Sequence, residues 1–333
     1  MANVVDIFNP QESVVAHGLE GKILLIYGGN NRGKTYQTVR MKKPFVIACE
    51  SGLNAQSGVK YNKVNNWSEF RKLVKQFTSK STIDKAKELY STIIIDEVYA
   101  SSIFCQDYVI STYGEGALSL GDSQGKVNLY QMYEKEYFRQ INLLVGAGYT
   151  VVFIAHEQFD KEGKAFPKGD KRCIAPIQDA CDFVVYVGAP SVDENGHVIK
   201  SSAYLAETDE FFARSRFEYT PTMIEEFTAE NLEAAIIEGI QKEEELRGIT
   251  TVSYEEQKVK NTSEEVDFDE LMEAISVAGN KLAEAGHVDT LYEIVEETLG
   301  AGKKVSDCTK KQIEAVTIIY EDILSKLEEL GVE

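Results

Sequence analysis

Short apolar runs at residues 23–27, 45–48, 93–95, 151–155 and 183–187 punctuate the first two-thirds of the chain. They are rich in branched residues and nearly free of polar interruption, the pattern of strands buried on both faces of a parallel sheet. Between them, residues 34–41, 67–77 and 129 to about 145 carry helical periodicity. In the last stretch Tyr133, Tyr137, Ile141 and Leu144 form one stripe. Strand and helix alternating through short links predict an α/β doubly wound core, and the runs 203–206 and 211–217 predict an edge hairpin that closes its sheet. Past about Thr220 the pattern changes. Residues 231–247 read as one acidic helix with Thr228 available as its cap, and 248–265 are polar and aperiodic, as in a linker. Helical segments follow at 268–285, 288–299 and 309–330. In the last of these Ile313, Val316, Ile319, Ile323 and Leu327 keep three-and-four spacing, so it must cover something, and a small acidic bundle is expected. The organisation is thus a core domain over 1–220, an acidic helix over 221–247, a linker over 248–265 and a small helical domain over 266–333.

Charge sharpens this division. The net charge is −19 over 333 residues. Residues 1–220 hold 25 basic and 26 acidic side chains, whereas 221–333 hold 10 and 28. The acidity therefore belongs to the tail and excludes nothing about a basic face on the front, while arguing that the tail is not a nucleic-acid contact. Five cysteines (49, 105, 173, 181, 308) lack CxxC spacing, which speaks against a disulfide framework and a zinc site. No apolar stretch reaches membrane-spanning length, and residues 1–10 lack a secretory pattern, so a cytoplasmic protein without membrane contact is expected.

The chemistry begins behind the first strand. Gly28, Gly29, Asn30, Asn31, Arg32, Gly33, Lys34 and Thr35 form a glycine loop that opens a helix with Gly-Lys-Thr. That order builds a phosphate cradle: amides point inward, Lys34 meets the β- and γ-phosphates, and the Thr35 hydroxyl takes one site on Mg²⁺. ATP and Mg²⁺ are the expected ligands. The loop is poorer in glycine than usual. Asparagine tolerates left-handed backbone, and the bulk of Arg32 suits either replacement of another cation or sensing of a partner.

Further residues converge on that loop. The strand 93–95 ends in Asp96, placed to hold Mg²⁺, and Glu97 follows as a candidate to polarise the attacking water. The strand 45–48 ends near Glu50, a second candidate for the same task, and sequence alone does not separate the two. The strand 151–155 delivers His156, read either as a γ-phosphate sensor or as a structural histidine. His17, His197 and His287 have no such neighbours. Arg214 and Arg216, two apart on a strand, project together; they read as an arginine finger for a neighbouring subunit or as partners of Glu207 and Asp209.

Together these residues resemble the RecA-like branch of P-loop ATPases, and more narrowly the phage and prophage ATPases of DNA recombination and replication. The resemblance spans about residues 20–220 and rests on residues 28–35, 45–50, 93–96 and 151–157. It implies a RecA-like core whose water-activating residue closes the second strand, favouring Glu50, and a late basic pair, here Arg214 and Arg216, reaching the adjacent nucleotide. It also implies a homo-oligomeric ring or filament acting on single-stranded DNA in a host cytoplasm, with single-strand binding or replication proteins as further partners. A nucleotide-controlled adaptor or loader with little turnover is the alternative. For DNA contact the sequence offers Lys60, Lys63, Arg71, Lys72, Lys75, Lys80, Lys85 and Lys87, with Tyr61, Trp67 and Phe70 interleaved. A solvated helix face that packs its rings inward explains them equally. The 111–127 loop with Tyr113 reads as a DNA loop or as disorder.

Overall fold

All five apolar runs lie side by side in one ten-stranded sheet of the computed structural model, which describes residues 10, 12–122, 127–192, 194–196, 198–261 and 267–332. Residues 1–9, most of the N-terminal stretch expected to lack a secretory pattern, lie outside the described residues, as do His197, residues 123–126 of the 111–127 loop and residues 262–265 of the expected linker. Edge to edge the sheet runs Met223–Ile224, Ala203–Tyr204, Phe183–Val187, Ile23–Gly28, Thr150–Phe159, Thr92–Asp96, Pro44–Ala48 and Tyr61–Lys63. From Phe183–Val187 to Tyr61–Lys63 each neighbour is parallel. Successive side chains of the first parallel strand enter opposite cores, Ile23, Leu25 and Tyr27 one, Leu24 and Ile26 the other. Helices therefore cover both faces. Trp67–Thr78, Val98–Tyr113, Leu129–Gly146 and Lys171–Ala180 contribute to the first core. The fold is α/β, a mainly parallel sheet flanked by helices on both faces.

Several elements differ from the sequence reading. The expected edge hairpin does not form. Ala203–Tyr204 and Arg214–Ser215 each pair with Phe183–Val187 at opposite ends of that strand, because the chain between them detours to hydrogen-bond Ala165 through Glu210 and Phe212. The helix behind the glycine loop is shorter than its apolar pattern, covering Lys34–Thr38. The acidic helix, Ala229–Arg247, belongs to the core: Leu232, Ala235, Ile236 and Ile240 are buried with Leu24, Ile26 and Val152. Much of the expected linker is ordered as well. Thr251–Val252 pair in parallel with Val15–Ala16, and a helix spans Tyr254–Asn261. The Tyr254 ring occupies space that only glycine leaves, since a Cβ on Gly21 would lie 2.2 Å from it, and its hydroxyl donates to Val145 O at 2.7 Å.

Two compact units result, one formed by Glu12–Asn261 and a second to which residues 267–332 belong. The second is a helical bundle of Phe268–Glu284, Val288–Leu299 and Ile313–Glu329, with Leu271, Ile275, Leu282, Val316, Ile319, Ile323 and Leu327 at its centre. The 313–327 stripe covers this small core. Cys49, Cys105, Cys173 and Cys181 are buried as free thiols. Among the described residues no helix is long and apolar enough to cross a membrane.

Candidate nucleotide-binding site

The glycine loop leaves the sheet where backbone packs on backbone. Gly28 has φ 153°, and a Cβ there would stand 2.5 Å from the Val187 carbonyl oxygen. Asn31 (φ 60°) and Gly33 (φ 80°) take the left-handed turns that curl the loop, the role asparagine tolerates. Lys34 is buried beneath the loop, and its Nζ donates to Gly28 O at 2.8 Å and Gly29 O at 2.7 Å. Burial, reinforced by the Arg32 guanidinium, lowers its pKa to about 8. Arg32 spends its charge on other groups. It pairs with Glu157 at 2.9 Å and donates to the Tyr186 hydroxyl and the Val187 carbonyl, so it anchors the loop.

Strand order assembles the rest. The His156 strand runs between the loop strand and the Asp96 strand, with Gly28 level with His156 and Ala48 level with Asp96. Parallel strands end at one edge, so Glu50, Asp96, Glu97 and His156 all arrive beside the loop. Thr35 Oγ1 donates to Asp96 Oδ2 at 2.9 Å. Burial raises Asp96 to about 6, against the opposing Thr35 hydrogen bond. Glu97 follows through a cis peptide and stands just ahead of the Val98–Tyr113 helix. Its Oε2 is buried without a hydrogen-bond partner, and burial together with the nearby Glu50 charge raises its pKa to about 7. His156 Nε2 lies 3.6 Å from Glu97 Oε2 and 3.9 Å from Glu50 Oε1. Burial and the Lys34 charge lower the histidine, favouring the neutral imidazole.

These residues fit a magnesium-bound triphosphate. The Thr35 hydroxyl and Asp96 carboxylate are hard oxygen donors that already share a contact and would hold Mg²⁺, which when bound neutralises phosphate charge. The orphaned Glu97 oxygen is a buried acceptor lacking a donor, as a water-binding carboxylate requires. Among the described residues, Glu50, Glu97 and His156 form the group of acid and imidazole ligands within 4.8 Å of one another.

The raised carboxyls set a pH dependence. Between the ordinary glutamate value and about 7, the folded chain keeps a proton on Glu97 that the unfolded chain has released. Its stabilising contribution is therefore complete at low pH and lost as pH rises through that window. In thermal melts without nucleotide, Glu97→Gln is expected to gain on the wild type as pH climbs from about 4.5 to 7. A variant that instead loses ground to the wild type over that range would mean that the carboxylate is stabilised as the anion.

Other sequence candidates lie elsewhere. Arg214 and Arg216 sit at the start of Phe183–Val187, the opposite end from the loop. Arg214 donates to the Asp179 and Cys181 carbonyls and Arg216 to those of Asp179 and Ala180, closing the end of the Lys171–Ala180 helix. Their acidic neighbours are Asp179 and Asp182 rather than Glu207 and Asp209. Trp67 and Phe70 are buried and stacked on each other at 4.7 Å, so neither ring is open to a base. Sequence reasoning gave no role to Glu157 or Tyr186, the anchors of Arg32, or to Lys168, whose charge opposes the upward shift of Glu97. Adjacency to His156 signalled Glu157. Nothing in the pattern signalled Lys168, which returns to the site through the Ala165–Pro167 strand.

A family model described as an AAA domain, AAA_24, matches residues 20–217. The chain belongs to this AAA domain family. The matched span holds the loop, Asp96, the Glu50–Glu97–His156 group and both arginines. The chain is also 50% identical over 325 residues to the SPbeta prophage-derived uncharacterized protein YorG of Bacillus subtilis (strain 168), covering 98% of this chain and 99% of that protein. Among solved structures, a RadB recombinase crystal structure matches 60% of this chain and 84% of its own at 12% identity and a TM-score of 0.35.

Proposed function

We propose that this AAA domain protein binds and hydrolyses ATP as a RecA-like ATPase of phage DNA recombination or replication, acting on single-stranded DNA in the host cytoplasm as a homo-oligomer. One observation carries the enzymatic part: a buried, partnerless Glu97 oxygen beside His156 and Glu50, next to the Thr35–Asp96 pair. In this reading Lys34 meets the β- and γ-phosphates. Glu97 accepts a proton from the attacking water or orients it, Glu50 adjusts its basicity, and neutral His156 senses the terminal phosphate. Arg32 keeps the loop in shape through Glu157. Arg214 and Arg216 could reach a neighbour's nucleotide only by releasing the carbonyls they now hold.

The prophage relative and the AAA family match support the setting; DNA is inferred from the resemblance of the motifs. ATP turnover is expected to rise severalfold on adding single-stranded DNA, read by phosphate release with solution mass measured in parallel. Hydrolysis indifferent to every nucleic acid would favour a nucleotide-controlled adaptor instead.

A further inference from the structure

The sheet ends in an edge strand, Tyr61–Lys63, whose three side chains are all exposed. Around it the charge balance inverts. Residues 40–90 carry 11 basic and 4 acidic side chains in a chain of net −19, and one of the four acids, Glu50, belongs to the nucleotide site. Beside the strand lies a recess of about 420 Å³ whose charged lining is Arg40, Lys43 and Lys60, set among the 56–59 turn and the apolar Val39, Pro44 and Leu89, and no carboxylate lines it.

Among the described residues these cations have carbonyl and ring partners but no acidic one, and Arg40 also donates to the Tyr36 carbonyl. Lys43 Nζ donates to the Glu88 carbonyl, Lys60 lies over the Tyr90 ring and Arg40 over the Tyr36 ring; among the described residues none of them pairs with an acid. Tyr61, 53% exposed, and Lys63 stand two apart on extended backbone and share one face. Lys63 Nζ reaches Ser51 Oγ at 3.4 Å, and Ser51 directly follows Glu50. The recess thus lies at one end of the edge strand and the catalytic rim at the other.

We infer that single-stranded nucleic acid tracks this edge, its phosphates on Arg40, Lys43, Lys60 and Lys63 and a base stacked on Tyr61. Cations along a groove with one accessible ring are what a single strand requires. A duplex would leave the tyrosine without a base face. The inference rests on the functional reading above and adds to it a surface and a route: a strand held by Lys63 presses on the turn that carries Glu50.

The test is fluorescence anisotropy of a labelled oligo-dT with the full chain and a non-hydrolysable ATP analogue, across a salt series. The triple variant Lys43→Ala/Lys60→Ala/Lys63→Ala should bind at least about tenfold more weakly, with a salt slope shallower by about 2. Tyr61→Ala should bind about fivefold more weakly with the slope unchanged. Both should keep DNA-free ATPase and lose most DNA stimulation. The control Lys303→Ala/Lys304→Ala, removing charge from the C-terminal unit, should match the wild type. No binding by the wild type overturns the DNA half of the functional reading and this surface with it. Binding that the triple variant retains, or that the control loses equally, overturns the surface alone. So does a fall in solution mass with DNA affinity unchanged, which would make the edge a contact between copies.

Discussion

Lys34→Met should remove measurable Mg·ATP turnover, a loss of at least about 10²–10³-fold, while the chain stays folded. The argument is electrostatic. Lys34 is buried beneath the loop, and its ammonium is held by two carbonyls of that same loop. A triphosphate offers it far stronger acceptors, so the full charge is available to the ligand. Methionine keeps the length and apolar stem but no charge. Because burial already disfavours the Lys34 ammonium, removing it takes away a desolvated ion as well as two hydrogen bonds, and the net effect on folding is small. Calorimetry with Mg·ATP and circular dichroism read the two halves separately. A variant that still turns over ATP near the wild-type rate would show that the loop does not bind phosphate through this residue.

Glu97→Gln should lower turnover by about 10²–10⁴-fold and leave nucleotide binding nearly intact, whereas Glu50→Gln should cost about tenfold. The two acids differ in environment. The Glu97 side chain is 5% exposed and that of Glu50 39%, and the partnerless oxygen belongs to Glu97. A carboxyl raised to about 7 is matched to proton transfer near neutral pH. Glu50 contributes to that elevation through its charge, so Glu50→Gln should also shift the acidic limb of the rate profile to lower pH. Single-turnover kinetics with the two variants decides the matter. Loss with Glu50→Gln and not with Glu97→Gln would give the base to the second strand, as the RecA resemblance implies.

The sequence carried the parts of this site that depend on local backbone and strand order. A glycine loop between a strand and Gly-Lys-Thr leaves few alternatives, and parallel strands deliver their last residues to one edge. Glu50, Asp96 and His156 could therefore be placed together before any geometry was known. Where pairing decides, the pattern ran out. The spacing of Arg214 and Arg216 rightly put both on one side, but which end of Phe183–Val187 they join is set by the detour to Ala165. The Lys171–Ala180 helix hid behind Pro176, and Val98–Tyr113 behind serines and a cysteine that are buried rather than exposed. The Ala229–Arg247 helix looked separate because its charge outweighed the stripe that meets the sheet.

Arg32 and Glu157 stand 125 residues apart and nearly out of solvent, each the other's neutraliser. Loss of either alone would strand its counterpart as a lone ion under the phosphate cradle. Descendants of this chain should accordingly exchange both positions in one lineage or neither, so that kinship between them can be read from a two-letter correlation rather than from the loop alone.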